Sequence, residues 1–202
     1  MASKRKSDQF EFRVIAGLLK GKIVRAPKLA GTRPPLTRLR KSIFDFLNPF
    51  IRDARYLDLF SGTGSYLFEA ISRGAMEATG TELDLRLVRS INDHAERYEV
   101  ADKLRCLKED VFDAIARLHE AGAKFDIVMM APPQYQGLID QALVKLNECP
   151  ILADDGMILA QHDSSETKDI DFSLFEIDQQ RKYGNTTFTI LSYKPRAGGD
   201  NR

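Results

Sequence analysis

At 202 residues and 43% hydrophobic content, the chain is long enough to bury a full core as one domain with an extension. It holds no secretory apolar region and no apolar run able to span a bilayer, so the expectation is a cytoplasmic protein. The formal charge of +1 hides an asymmetry, for residues 1–56 carry 14 Lys and Arg against 4 Asp and Glu while the remaining 146 carry 16 against 25.

A basic arm on an acidic body suggests a polyanionic partner such as nucleic acid, beside the plainer reading of a solvated extension. Cys106 and Cys149 lie far apart in apolar contexts and read as buried free thiols of a reducing compartment. Composition predicts disordered tails over 1–11 and 195–202. Between them are expected a basic extension over 12–50 and an α/β domain over 51–194.

In chain order, Phe12–Gly17 and Lys22–Arg25 read as two strands of a hairpin with basic positions at Arg13, Lys20, Lys22, Arg25 and Lys28. Pro34 and Pro35 keep the following helix from starting before them. Thr37 is a candidate N-cap, and Leu39, Ile43, Phe44 and Leu47 fall on one helical face, with Arg38 and Lys41 beside it.

Tyr56-Leu-Asp58 is a short apolar strand that turns through Gly62 and Gly64 into a helix over Tyr66–Ser72. Glycine permits the sharp turn and a close approach to a ligand, and the helix start behind it offers free N–H groups. About twenty residues on, a second strand ends at Glu82, where an acid can hold a ribose diol. The third glycine of a dinucleotide fingerprint is replaced by Leu67, which tilts the reading from NAD towards S-adenosylmethionine.

Helices are expected over Leu83–Tyr98, Phe112–Ala121 and Gly137–Asn147, and strands over Leu104–Asp110, Phe125–Met130 and Gly156–Ala160. The near-continuous apolar run Phe125–Met130 marks a central strand covered on both faces. Phe175–Arg181 and Thr187–Tyr193 alternate as an antiparallel pair at the sheet edge would. The expected fold is a mixed seven-stranded sheet with helices on both faces, its ligand cleft at the carboxyl ends of the strands.

Asp58, Glu82, Asp110 and the turn Ala131-Pro132-Pro133-Gln134 fall at those ends. Asp58 can accept from a ligand or cap its own turn. Asp110 can accept from an adenine amine or cap the next helix. The two prolines remove N–H donors and leave carbonyls free to orient a reacting amine, and Tyr135 can stack on a base. The plainer alternative is a rigid loop with a core aromatic. His94 and His119 are expected at the surface and His162 in a structural role, and no metal site is expected.

Several short stretches recur in order: Arg13-Val-Ile-Ala-Gly17, Gly21-Lys22, Thr32-Arg-Pro34, Arg38-x-Arg40, Leu57-Asp-Leu-Phe-Ser-Gly-Thr-Gly64, Glu69-Ala-x-Ser-Arg-Gly-Ala75 and Tyr183-Gly184. Over roughly residues 12–194 the chain resembles the RsmD-like family, bacterial methyltransferases acting on guanine N2 of small-subunit (16S) ribosomal RNA. The resemblance implies a Rossmann-like methyltransferase that uses S-adenosylmethionine and reaches ribosomal RNA through its basic hairpin. Asp58, Gly62, Gly64, Glu82 and Asp110, with their neighbours Phe60, Leu83 and Val111, would hold the cofactor. Arg13, Lys22, Arg33, Arg38 and Arg40 would face the RNA. A monomer acting on the small-subunit particle or its assembly intermediate is expected.

One departure stands out. The family usually has Asp-Pro-Pro-Tyr or Asp-Pro-Pro-Phe where this chain has Ala131 and Gln134. Losing the carboxylate removes a charge-assisted acceptor for the amine. The Gln134 amide oxygen, main-chain carbonyls and Tyr135 are candidate replacements. The alternatives are an RNA-binding protein that has lost transfer, or an enzyme acting on another base or on a protein glutamine.

Overall fold

A computed structural model describes residues 9–29 and 36–194; residues 1–8 of the expected 1–11 tail, the tail over 195–202, and Arg33, Pro34 and Pro35 lie outside the described residues. The hairpin pairs β1 (Gln9–Arg13) with β2 (Ile23–Pro27) and is followed by α1 (Thr37–Leu47). The domain then runs β3 (Arg55–Asp58), α2 (Ser65–Ser72), β4 (Glu77–Glu82), α3 (Leu85–Arg97), β5 (Leu104–Lys108), α4 (Val111–Glu120) and β6 (Phe125–Met130). It ends with α5 (Leu138–Glu148), β7 (Leu152–Asp163), a 3-10 turn at Glu166–Lys168, β8 (Phe175–Tyr183) and β9 (Thr186–Tyr193).

The seven strands β3 to β9 form one mixed sheet in the order β5-β4-β3-β6-β7-β9-β8. Neighbours from β5 to β7 are parallel, and β9 runs antiparallel to both β7 and β8. The chain steps outward from β3 to β5 and then returns to add β6 on the other side. This reversal leaves a crevice between the carboxyl ends of β3 and β6, where such sheets take their ligands. Period-two alternation divides the sheet residues between two cores. Tyr56, Ile127, Met129 and Leu159 pack with α1, α2, α3 and the hairpin, whereas Leu57, Val128, Met130 and Ile158 pack with α4 and α5. The apolar run Phe125–Met130 is central and buried on both faces, as its composition predicts.

Local chemistry shifted several boundaries. The first strand lies earlier than the predicted Phe12–Gly17, and it takes in residues 9–11 of the expected tail. The reason is that the N–H groups of Ile15 and Ala16 leave the ladder to donate to the Glu69 carboxylate, at 3.0 and 3.3 Å. Thr37 is the first residue inside α1 rather than its cap, which is Leu36 and makes no side-chain cap bond. The strand expected over Gly156–Ala160 begins at Leu152. Its pairing with β6 jumps from Phe125↔Leu152 to Ile127↔Met157, so Ala153–Asp155 form an irregularity. A Cβ on Gly156 would lie 2.9 Å from the Phe125 carbonyl oxygen, and only glycine passes there without displacement.

The hairpin is no loose arm. Phe12, Val14, Leu19 and Val24 are buried in the same core as α1, α2 and α3. Leu18 N–H donates to the Ser72 carbonyl at 2.7 Å and Leu19 N–H to Ser72 Oγ at 2.9 Å, while Ser72 Oγ donates to the Ala16 carbonyl. Gly17 has φ +80°, and a Cβ there would sit 1.6 Å from the Ser72 carbonyl oxygen. On α3, Ser90 Oγ donates to the Arg25 carbonyl at 2.7 Å and the Tyr98 hydroxyl to Ile23.

His94 is buried beneath the hairpin, against the expectation of a surface residue. Its Nδ1 lies 2.7 Å from the Ser90 carbonyl oxygen and so carries the proton, leaving Nε2 to accept from Arg25 N–H. The helix periodicity places His94 on a face, and only the non-local hairpin makes that face an interior one. Cys106 is buried as expected and Cys149 only partly so.

Candidate active site

The crevice is built on the turn after β3. Asp58 ends that strand fully buried, level with Gly80 of β4 and Met129 of β6. Its Oδ1 accepts from Phe60 N–H at 3.3 Å, and its Oδ2 has no partner among the described residues. Burial pushes its pKa up to about 7, and the Glu82 charge adds to the shift. A buried carboxyl with an open oxygen beside a glycine turn is short of one donor or cation, which a ligand can supply.

The turn itself is held rigidly. Ser61 N–H donates to the Thr81 carbonyl at 3.0 Å, and Thr81 Oγ1 donates to the Leu59 carbonyl at 2.8 Å. Gly64, at φ +77°, precedes α2 as its cap residue without any side-chain cap bond, so the helix start keeps donors for a ligand. A Cβ on Gly64 would be 2.7 Å from Ile91, whereas one on Gly62 would find no atom closer than 4.0 Å. Gly62 thus owes its place to backbone conformation, φ +52°, and to the space above it.

Sequence reasoning missed Gly80, whose Cβ would fall 2.3 Å from Ser61 Oγ. A glycine inside a strand was the available signal of a close approach.

Glu82 braces this turn. Its Oε2 accepts from Gly62 N–H at 3.0 Å and its Oε1 from Asp84 N–H at 2.9 Å. Each carboxylate oxygen keeps a second lone pair, enough for a vicinal diol. Leu83 beside it is 64% exposed, an apolar surface a planar ring can cover, and Phe60 is half-buried. Asp110 caps α4 by accepting from Phe112 N–H at 2.9 Å, which is the capping alternative left open by the sequence. Val111, the first residue of α4, is buried in the α4–α5 core. The residues present fit S-adenosylmethionine: Asp58 for its ammonium, Glu82 for its ribose, Leu83 for its adenine.

Ala131-Pro-Pro-Gln-Tyr135 leaves β6 on the other side of the crevice. Tyr135 is 65% exposed and so is no core aromatic, the plainer alternative for this loop. It has φ +60°, a left-handed conformation rare in non-glycine residues, and such strain gathers at functional sites. Glu166 holds it there: Oε1 accepts from Tyr135 N–H at 2.7 Å and Oε2 from Asp163 N–H at 3.2 Å. Pro132, Pro133, Gln134, Gln161, His162 and Glu166 line a shallow pocket at this loop. His162 is buried, with Nε2 2.9 Å from Thr189 Oγ1, in the structural role expected of it.

A family model described as Conserved hypothetical protein 95 matches residues 12–192. The chain belongs to that family, the RsmD-like proteins. The ribosomal RNA small subunit methyltransferase D of Escherichia coli (strain K12) is 30% identical over 161 residues, 80% of this chain and 79% of that protein. The solved structure of yhhF from Escherichia coli covers 91% of this chain and 98% of its own at TM-score 0.78 and 26% identity. An RNA methyltransferase from Salinibacter ruber, solved with S-adenosyl-L-homocysteine, shares the fold at TM-score 0.62 and 18% identity over 83% of this chain and 98% of that one.

Two groups of residues in this RsmD-like chain separate once the structure is known. Arg13, Lys22 and Arg38 are exposed, with Arg13 Nη1 donating to the Gly21 carbonyl at 2.8 Å and Lys22 lying 5.4 Å over the Tyr98 ring. Arg40 is only 1% exposed and does not face a partner, which corrects its assignment to the RNA side. Its Nη2 donates to the Arg13 carbonyl at 2.6 Å and its Nε lies 3.6 Å from Glu69. Burial lowers its pKa, with Glu69 opposing the shift. Glu69 itself is fully buried and also accepts from Arg73 Nε at 2.9 Å. The stretches Arg13–Gly17, Arg40 and Glu69–Arg73 therefore form one latch that fixes the hairpin to the domain.

Proposed function

We propose that this protein transfers the methyl group of S-adenosylmethionine to the exocyclic N2 amine of a guanine in small-subunit ribosomal RNA. The reading has it act as a monomer, in the cytoplasm, on the subunit particle or its assembly intermediate. The observation that carries it is the unpartnered oxygen of buried Asp58 in the Gly62–Gly64–Glu82 turn, across one crevice from a proline-fixed loop bearing an exposed Tyr135. The RsmD-like family and the small-subunit methyltransferase relative support the substrate class.

When bound, the cofactor supplies an electrophilic methyl on a sulfonium. The chain's own residues do the rest. Asp58 and Glu82 fix the cofactor at its ammonium and ribose ends, and Tyr135 stacks on the extruded base. Carbonyls of the 131–134 loop accept from the amine and turn its lone pair towards the methyl. The exposed basic positions Arg13, Lys22 and Arg38 of the 12–50 extension hold phosphates. Ala131 alone would favour an RNA-binding protein without transfer.

Incubation with radiolabelled S-adenosylmethionine and small-subunit particles, followed by digestion to nucleosides, tests the choice. Label in N2-methylguanosine is expected. Cofactor binding with no label in any nucleoside would leave the binding protein as the better reading.

A further inference from the structure

Amine methylation needs an acceptor that holds one N–H and aims the lone pair, and Ala131 has no side-chain acceptor. The parallel pairing of β6 with β7 runs Met129↔Leu159 and Met130↔Ala160. The pairing ends there: Ala131 leaves β6 into the proline loop, while β7 continues to Gln161. By strand alternation Gln161 follows Leu159 to the sheet face that carries Asp58 and α2. Gln161 is also among the residues lining the pocket at the 131–137 loop.

The amide of Gln161 is already oriented. The Tyr66 hydroxyl, in the first turn of α2 directly after Gly64, donates to Gln161 Oε1 at 2.6 Å. Tyr66 is steadied by Phe44, with ring centroids 6.0 Å apart. Burial and the nearby Asp58 carboxylate raise its pKa, so it stays a donor at any working pH. An amide oxygen has two lone pairs, and the phenol takes one. Its NH₂ offers donors on the same rigid plane.

Resting on the methyltransferase reading above, we infer that Gln161 is the substrate acceptor of this site, its Oε1 taking an N–H of the guanine N2 amine and its NH₂ donating to N3 of the same base. A carboxamide matches that donor–acceptor edge of guanine with two parallel bonds, and adenine, which has no N2 amine, leaves Oε1 unpaired. The side-chain acceptor that Ala131 lacks is thus supplied by the neighbouring strand, and the loop carbonyls take the second N–H of the amine.

Single-turnover and steady-state methylation of small-subunit particles by wild type, Gln161→Ala, Tyr66→Phe and the double variant Ala131→Asp/Gln161→Ala tests this. Loss of one hydrogen bond in the reacting complex predicts a fall in kcat of about 10- to 100-fold for Gln161→Ala. Tyr66→Phe should lose less, and cofactor Kd by calorimetry should stay within about twofold of wild type for all variants. Restoring a carboxylate at 131 should recover at least about tenfold of the loss, which no merely structural role for Gln161 would produce.

Wild-type kcat in Gln161→Ala, or no recovery in the double variant, overturns the inference while the methyltransferase reading stands. Wild type that transfers no label overturns both.

Discussion

Asp58 shows how one buried atom couples cofactor and proton. Its folded pKa of about 7 exceeds the ordinary carboxyl value of 3.8, so the folded protein holds a proton that the unfolded chain has released. Its contribution to stability is full below about pH 4, falls as pH rises towards 7, and is flat above. An ammonium placed at Oδ2 favours the ionised carboxylate and lowers this pKa. Cofactor affinity should therefore strengthen as pH rises from 5 to 7 and level off above. Calorimetry in buffers of different ionisation enthalpy should show close to one proton released near pH 6. Asp58→Asn should remove the pH dependence and weaken binding about tenfold or more. A flat affinity profile in the wild type would refute the assignment. Cys106, whose thiol burial pushes up to about 12, should resist alkylation until the protein unfolds.

Among elements, the hairpin and α2 depend on each other through Glu69. This carboxylate collects Arg40, Arg73 and the N–H groups of Ile15 and Ala16. Removing one member of a buried pair leaves a charge without compensation, at a cost of about 3–5 kcal/mol. Glu69→Ala should accordingly lower Tm by about 10 °C or more in a thermal melt. Gly17→Ala should also destabilise, since its Cβ has no space against Ser72 and its φ is positive. Proteolysis of either variant should cut first between residues 13 and 25. The sequence displays every participant in this latch, yet Arg40 could be read as an RNA contact there. Its 1% exposure follows from the packing of Phe12, Arg13 and Glu69 around it, which helix periodicity does not encode.

Across the whole molecule, the charge asymmetry of the chain becomes a basic hairpin and helix start fixed on an acidic domain. RNA affinity should fall with salt, and the log–log slope should shrink by about 0.7–0.9 for each phosphate contact removed. Lys22→Ala and Arg38→Ala should each reduce that slope with Tm nearly unchanged. Arg40→Ala should instead lower Tm through Glu69, which filter binding across a salt series alongside thermal melts will separate.

The sequence by itself determined the α/β order, the glycine turn, the acid at Glu82 and the central apolar strand, because these rest on local periodicity and turn chemistry. Motif order was enough to point to the family. Tertiary structure alone decided which basic residues face outward, that Asp110 caps a helix, that His94 is interior, and that Gln161 of β7 meets Tyr66 of α2. Each of these depends on which distant segment packs opposite. Strand order in a parallel sheet brings residues thirty positions apart side by side, and no window of neighbouring residues records it.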